Sequence, residues 1–321
     1  MKRIWIAGAA AVALIASLSA CSSPAATESS THAKKLGMVA LVATDALNKA
    51  VIDGASEEAK KAGWEVNVID TQGSPDKANA AMTTYSTTQK VDAMIVFAFD
   101  TNAIGAGLAA AKSANVPVVS WGGQLINGVA ASTSALQVGK DSANEMLKDF
   151  GTKGEVLALT YHTGILCLFR GEAFDAAMKE QPGIKVTSNE VAIPGQVQDG
   201  IKFTSAWLAS HPAGSGPLAV WGSWDEPGMG AIAALKQAGR TDVKVYSING
   251  SPQALQAVKD GTMTQIIWQD GFTEGKELFK SASEALAAGS AWQPKEINVP
   301  GVLVDQSNID QFLSEHPNAL S

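Results

Sequence analysis

Four histidines, His32, His162, His211 and His316, are the first residues to weigh for acid–base or metal chemistry. None stands four residues from another, as a helical zinc pair requires, and the two cysteines, Cys21 and Cys167, join no Cys/His cluster. Neither a phosphate-cradling Walker loop nor a Gly-x-Ser-x-Gly nucleophile turn occurs. Gly228-Met229-Gly230-Ala231-Ile232-Ala233 fits the loose dinucleotide pattern, but it begins six residues beyond Gly222 and reads better as close helix packing. Asp225 and Glu226 are adjacent, so their side chains diverge and do not make an acid–base pair. Cys167 has apolar neighbours (Ile165, Leu166, Leu168, Phe169), which suits a small buried hydrophobe better than a nucleophile.

What remains is a set of polar and aromatic residues at the carboxyl ends of apolar runs. They are Thr44-Asp45, Phe97 to Asp100, Trp121-Gly122-Gly123, Tyr161-His162, Trp221 to Asp225, Asn249-Gly250 and Gln269-Asp270. Indole faces beside neutral hydrogen-bonding groups suit a carbohydrate, whose C–H face packs on a ring while each hydroxyl needs a donor or acceptor. Trp121 and Trp224 are expected in a pocket, and Trp64, Trp207 and Trp292 in the core. Trp221 and Trp268, one position before strand ends, fit either place. His162 fits a ligand contact and a structural histidine equally.

The elements that must carry these residues alternate. Apolar runs of strand length occupy 36–43, 64–70, 93–97 and 116–121, with helical spacing at 50–62, 104–114 and after the capping Ser74-Pro75-Asp76. A helix at 134–150 opens a second unit. Its strands are expected at 155–160, 186–193, 218–222, 243–248 and 263–268, and its helices at 169–179, 198–210, 228–238 and 252–260. A long helix follows at 273–288. Continuous Val/Ile/Ala strands require a parallel sheet covered on both faces, so the fold class is α/β, two doubly wound parallel-sheet lobes. In such sheets ligands sit outside the carboxyl ends of the strands.

The chain has 321 residues, 46% hydrophobic and 17% charged, with a formal charge of −7. That length suits two domains, and the acidity disfavours nucleic acid, whose phosphates need clustered Lys and Arg. Met1-Lys2-Arg3 heads an uncharged apolar stretch at 4–18, too short to span a bilayer comfortably: the form of a secretory signal over 1–20. Leu18-Ser19-Ala20-Cys21 resembles a bacterial lipobox, with Cys21 lipidated, and the alternative is a plain signal-peptidase site beside a cysteine. Residues 21–33 then form a lipidated, Ser/Thr/Ala-rich flexible tether. The protein is thus expected outside the cytoplasmic membrane and anchored to it.

The order of elements and the strand-end residues resemble the periplasmic sugar-binding proteins of the ribose-binding type, the solute-capture components of ABC transporters. The stretches that carry this are 40–63, Arg170-Gly171-Glu172-Ala173-Phe174, Trp224-Asp225-Glu226 with Gly230-Ala231, 247–252 (SINGSP) and 266–269. The resemblance implies two lobes, 34–131 plus 270–300 and 132–269 plus 301–321. Three crossovers near 130–133, 269–271 and 299–302 would join them, and the lobes would close on ligand by hinge bending. It implies ligand contacts from Arg170, Gln269, Asp45, Leu47, Asn48 and Asn249. Gly122-Gly123 stand where ribose-like binders carry an Asp-Arg clamp, and Phe97 and Trp224 stand where they carry Asn. With Trp121, His162 and Asp225 these complete the expected site. Gly122 and Gly123 are expected to let backbone amides approach hydroxyls.

Fewer charged clamps and more indole bulk point to a small neutral polyol of four or five carbons, such as threitol, erythritol or xylitol. A pentose or other monosaccharide is the alternative. The expected partners are that ligand, an ABC permease with its cytoplasmic ATPase and the membrane surface through a lipid anchor. A monomer without cofactor, metal or nucleic acid is expected. A glycoside-processing enzyme would need Asp45 and Asp225 facing across the cleft. A sugar-responsive repressor would carry a helix-turn-helix where this chain has its signal.

Overall fold

The computed structural model describes residues 33–317, 319 and 320. The signal segment, Cys21 and the tether up to residue 32 lie outside them. The first group of elements is β1 (Lys35–Ala40), α1 (Ala46–Lys61), β2 (Glu65–Asp70), α2 (Pro75–Thr84), β3 (Ala93–Phe97), α3 (Gly105–Ser113), β4 (Val118–Trp121) and β5 (Val129–Thr133). The second is α4 (Leu136–Phe150), β6 (Gly154–Thr160), α5 (Ile165–Lys179), β7 (Ile184–Glu190), α6 (Gln196–Ser210), β8 (Leu218–Gly222), α7 (Asp225–Gln237), β9 (Val243–Asn249), α8 (Pro252–Lys259) and β10 (Gln265–Trp268). The chain ends with α9 (Gly271–Ala288), β11 (Lys295–Ile297), β12 (Val302–Asp305) and α10 (Ile309–Glu315).

Two six-stranded sheets result, ordered β11-β5-β4-β3-β1-β2 and β12-β10-β9-β8-β6-β7. Each inner strand is a run of Val, Ile, Leu and Ala with both faces covered, as β3 and β8 show by complete burial. The outer strands β2 and β7 are mostly exposed or half-buried, because only one side of each has a neighbour. The α/β doubly wound expectation therefore holds, with one addition. β12 pairs antiparallel to β10, so the second sheet is mixed at that edge.

The expected crossovers need a finer description. Residues 130–133 belong to β5, which pairs parallel with β4 and β11 inside the first sheet, so the chain leaves that sheet only after Thr133. It returns at 269–270, and α9 packs on β3, β4 and β5. It leaves again between Ile297 and Val302. The short pairings that define β5, β11 and β12 lie beyond what apolar run length reveals.

Two helix crossings set the geometry of the strand ends. In the first lobe α1 lies directly on α9. A Cβ on Gly54 would stand 2.0 Å from the Phe272 carbonyl oxygen, and one on Gly275 2.0 Å from that of Val51. In the second lobe Gly200 and Gly230 allow the same approach of α6 to α7, with 2.4 and 2.3 Å to the facing carbonyls of Pro227 and Val197. Gly230 is thus the packing residue expected of the false dinucleotide motif. Because these contacts are backbone to backbone, no rotamer change relieves a side chain there. We expect Gly275→Val to destabilise the fold by about 3 kcal/mol or more, since the helices must separate. Gly105→Ala, at an exposed position with nothing within 4 Å, should be neutral or slightly stabilising. Chemical denaturation of both variants checks this.

Candidate functional site

Asp45 follows β1 and caps α1. Its carboxylate accepts the Asn48 N–H at 3.0 Å, and Asn48 in turn donates through Nδ2 to the Val42 carbonyl at 2.6 Å. The helix that the sequence suggested at residue 50 thus begins at Ala46, because Asp45 supplies the missing acceptor. On the other lobe α5 begins at Ile165 rather than near 169, which puts Leu166, Cys167 and Arg170 on its first turns. α7 begins at Asp225 and α6 at Gln196. These four helix starts and the ends of β1, β4, β6 and β9 converge on one cavity of about 510 Å³, part of it open to solvent.

Six of the expected site residues line this cavity: Asp45, Asn48, Trp121, Arg170, Trp224 and Asn249. Arg170 is 1% exposed. Its Nη1 donates to the Ser223 carbonyl at 2.9 Å and its Nη2 to Gln269 Oε1, while Nε has no partner among the described residues. Gln269 passes the contact on, donating to Glu274 Oε1 at 3.3 Å, and Glu274 Oε2 accepts Trp121 Nε1–H at 2.5 Å. A continuous polar chain therefore runs from the first-lobe indole through the crossover to the second-lobe cation. Burial pushes the Glu274 carboxyl up to about 7 against the opposing effect of its donors. Burial likewise lowers the Arg170 pKa from its ordinary value.

Asn249 sits at φ +96°, a backbone region that Asn tolerates better than most residues, and its Oδ1 is buried without a partner. Trp224 meets Tyr161 edge to face at 6.0 Å between centroids and donates from Nε1 to Glu226 Oε2 at 3.2 Å. Gln196 Nε2 donates to the same oxygen at 2.6 Å. Glu226 thus fixes the indole and keeps its other oxygen uncommitted.

The remaining expected residues lie elsewhere. Leu47 turns into the α1–α9 contact against Gly271. Phe97 is fully buried beneath Trp121, at 6.4 Å between rings. His162 is exposed and pairs with Glu190, away from the cavity. Asp225 is buried beside it and accepts the Ser251 N–H at 2.6 Å, tying the SINGSP loop to α7. Gln269 acts through Arg170 rather than on the cavity surface. Gly122 and Gly123 do not offer their amides outward. These donate to Thr133 Oγ1 at 2.8 Å and Ser120 Oγ at 3.1 Å. What Gly122 provides is clearance, since a Cβ there would stand 2.3 Å from Leu166 Cδ2 of the facing lobe. Two tryptophans are also settled: Trp221 stacks on Phe174 at 4.2 Å and donates to Ser142 in the core, and Trp268 packs on Phe312 and His316.

Tyr161, Ile193, Gln196 and Glu226 line the cavity without having been expected there. The signal for Glu226 was present in the adjacency of two acids at a helix start. Their divergence is what sends Asp225 to Ser251 and Glu226 to the cavity. Cys167 also lines it, half-buried, and burial pushes its thiol up to about 11.

Two doubly wound lobes joined by three crossings, with an aromatic and hydrogen-bonding cavity where their strand ends meet, define a solute-binding protein. Residues 36–290 match the family model described as a periplasmic binding protein domain, and the chain belongs to that family, in its type 1 sugar-binding form serving ABC transporters. It is 29% identical over 221 residues to the ribose import binding protein of Escherichia coli (strain K12), covering 68% of this chain and 73% of that one. It is also 29% identical over 191 residues to the xylitol-binding protein of Mycolicibacterium smegmatis, covering 58% of this chain and 54% of that one. Among solved structures, an ABC transporter solute binding protein from Agrobacterium vitis with bound allitol superposes with a TM-score of 0.79 at 25% identity, over 88% of this chain and 99% of that one. These relatives are transport proteins, not enzymes.

The thiol offers a direct check of the site's environment. A pKa above that of free cysteine leaves less thiolate at pH 8, so Cys167 should react with iodoacetamide at least about tenfold more slowly than free cysteine. The Cys21→Ser chain, whose single thiol is Cys167, permits the measurement.

Proposed function

We propose that the protein captures a small neutral sugar alcohol of four or five carbons, such as threitol, erythritol or xylitol, between its lobes. It then delivers the ligand to the permease of an ABC importer. The observation that carries this reading is the pairing of unsatisfied buried polar atoms with indole walls. Among the described residues Arg170 Nε and Asn249 Oδ1 lack partners, Asp45 and Glu226 each keep an oxygen uncommitted, and Trp121 and Trp224 line the same cavity. An acyclic polyol presents a hydroxyl on every carbon to meet donors and acceptors arranged all around it. The clamp that ribose-like binders place at positions 122 and 123 is replaced here by glycine under Leu166. The xylitol-binding relative supports a five-carbon polyol, and the allitol-bound neighbour supports an acyclic polyol of one carbon more. A pentose is the second reading, favoured by the ribose-binding relative and its longer matched length.

The rigid bodies of this capture are 34–133 plus 270–300 and 134–269 plus 301–321, the expected limits moved only so that β5 stays whole in the first lobe. The protein acts as a monomer outside the cytoplasmic membrane, held there by lipid on Cys21. Micromolar capture corresponds to about −8 kcal/mol.

A thermal-shift series of the mature protein against tetritols, pentitols, hexitols and pentoses tests the ligand. At a concentration 100 times the Kd, the true ligand stabilises by about 2.7 kcal/mol, and tetritols or pentitols should give the largest shift. Trp224→Ala should cost about 2–4 kcal/mol of binding and abolish the shift while the variant stays folded. A response to pentoses alone, or an unaltered shift in Trp224→Ala, would refute the assignment. For the anchor, the unaltered chain should incorporate a labelled fatty acid and Cys21→Ser should not, whereas an unlabelled natural chain would exclude lipid at that residue.

A further inference from the structure

We propose that closing the lobes on a neutral polyol takes up one proton, held on the Asp45 carboxyl in the closed complex. This rests on the polyol reading above and concerns the regulation of the same site.

The two lobes bring several charges together around the cavity. The charged side chains lining the cavity are Asp45 from the first lobe and Glu226 and Arg170 from the second. Asp225 lies buried beside Glu226, and Glu274 stands on the far side of Gln269. Both terminal nitrogens of the Arg170 guanidinium are already engaged, by Ser223 and Gln269, and no carboxylate pairs with it among the described residues. One cation therefore serves several carboxylates in a space that closure dries. A ligand made only of hydroxyls brings no positive charge to balance them.

Asp45 is the charged residue that the first lobe contributes to the cavity lining among the described residues, so it meets the other acids only when the lobes are together. It caps α1 on the first lobe, whereas Asp225 and Glu226 stand at the start of α7 on the other. The groups that face it are Asp225, Glu226, Arg170 and the Cys167 thiol. On its own helix Lys49 is turned to solvent and paired with Asp53, so it does not help. On α9, Asp270 caps the helix and Glu274 is engaged by Trp121 and Gln269. In the closed arrangement burial first, and Asp225 and Glu226 next, push the Asp45 carboxyl up to about 7. In an open cleft water returns and the two opposing acids recede, so the group falls back toward the ordinary carboxylate range. Between these values the open form is ionised and the closed form protonated. The proton comes from the buffer. The neutral carboxyl donates its O–H to a ligand oxygen while its other oxygen keeps accepting from Asn48.

The sign follows from the raised pKa. Closure is favoured below about 7 and loses that advantage as the pH rises through it. Calorimetry of the mature chain in detergent, with xylitol as probe, tests this. Affinity should fall about tenfold per pH unit between about pH 5 and 6 and level off above about pH 8. Titrations at pH 6 in buffers of different ionisation enthalpy should show close to one proton taken up. Asp45→Asn, which keeps the helix cap, should flatten the profile to less than about a twofold change. Xylitol binding without proton uptake, or a slope that survives Asp45→Asn, overturns the proton linkage and leaves the polyol reading standing. Absence of heat from xylitol, threitol and erythritol at every pH overturns both.

Discussion

The cavity depends on a guanidinium that has been taken out of water without a carboxylate bonded to it. Arg170 is held by a backbone carbonyl from its own lobe and by Gln269, which stands at the crossover. Desolvating a charge is costly unless its hydrogen-bonding capacity is met. Two of its nitrogens are met by the fold, and Nε waits for something else. The residue whose position most determines the site is therefore anchored to the crossover segment between the two sheets. Through Gln269 and Glu274 the same contact reaches Trp121 on the first lobe. Cation, hinge and aromatic wall are thus set by one run of hydrogen bonds, and none of its members can be displaced alone without orphaning a buried polar group.

The lobes themselves meet over a narrow seam. Leu166 rests on the bare backbone of Gly122, and the Ile165 N–H donates to the Ala98 carbonyl at 3.3 Å across the divide. Ala98 adopts φ +64°, unusual for a residue with a side chain, and this turn presents its carbonyl to the start of α5. The Ile165 N–H is free to donate there because the first N–H groups of a helix have no partner within it. The seam thus combines an apolar knob, a bare backbone and a helix terminus.

Much of the architecture is legible in the sequence because inner strands of a doubly wound sheet must be apolar on both faces, and helices must carry a capping residue and a small-residue face. Ser74 caps α2 and Ser251 caps α8 by this rule. The short edge pairings are not legible: β11 has three residues and an exposed start, and only its partner β5 makes it a strand. For the site, strand-end position located Asp45, Trp121, Trp224 and Asn249, and the family resemblance added Asn48 and Arg170, but neither could tell a side chain over the cavity from one beneath it. Phe97 and Trp121 are adjacent in the sheet register, yet only the indole reaches the cavity. His162 and Tyr161 are neighbours in sequence and point to opposite environments, because alternate residues at a strand end face opposite ways. Glycines 122 and 123 were informative for an unexpected reason, steric rather than hydrogen-bonding.

The first lobe is not contiguous in the chain. α1 finds its helical partner in α9, more than two hundred residues later, and β5 acquires its outer neighbour only when β11 has been made. The earlier-synthesised lobe is consequently the later one to be completed, after the intervening lobe has had its own elements in place. Contacts of such long sequence separation form slowly, because the intervening chain must first be ordered. A polypeptide built in this way stays loose until nearly its whole length is present. That delay is compatible with threading through a narrow channel before collapse, and it arises from topology alone.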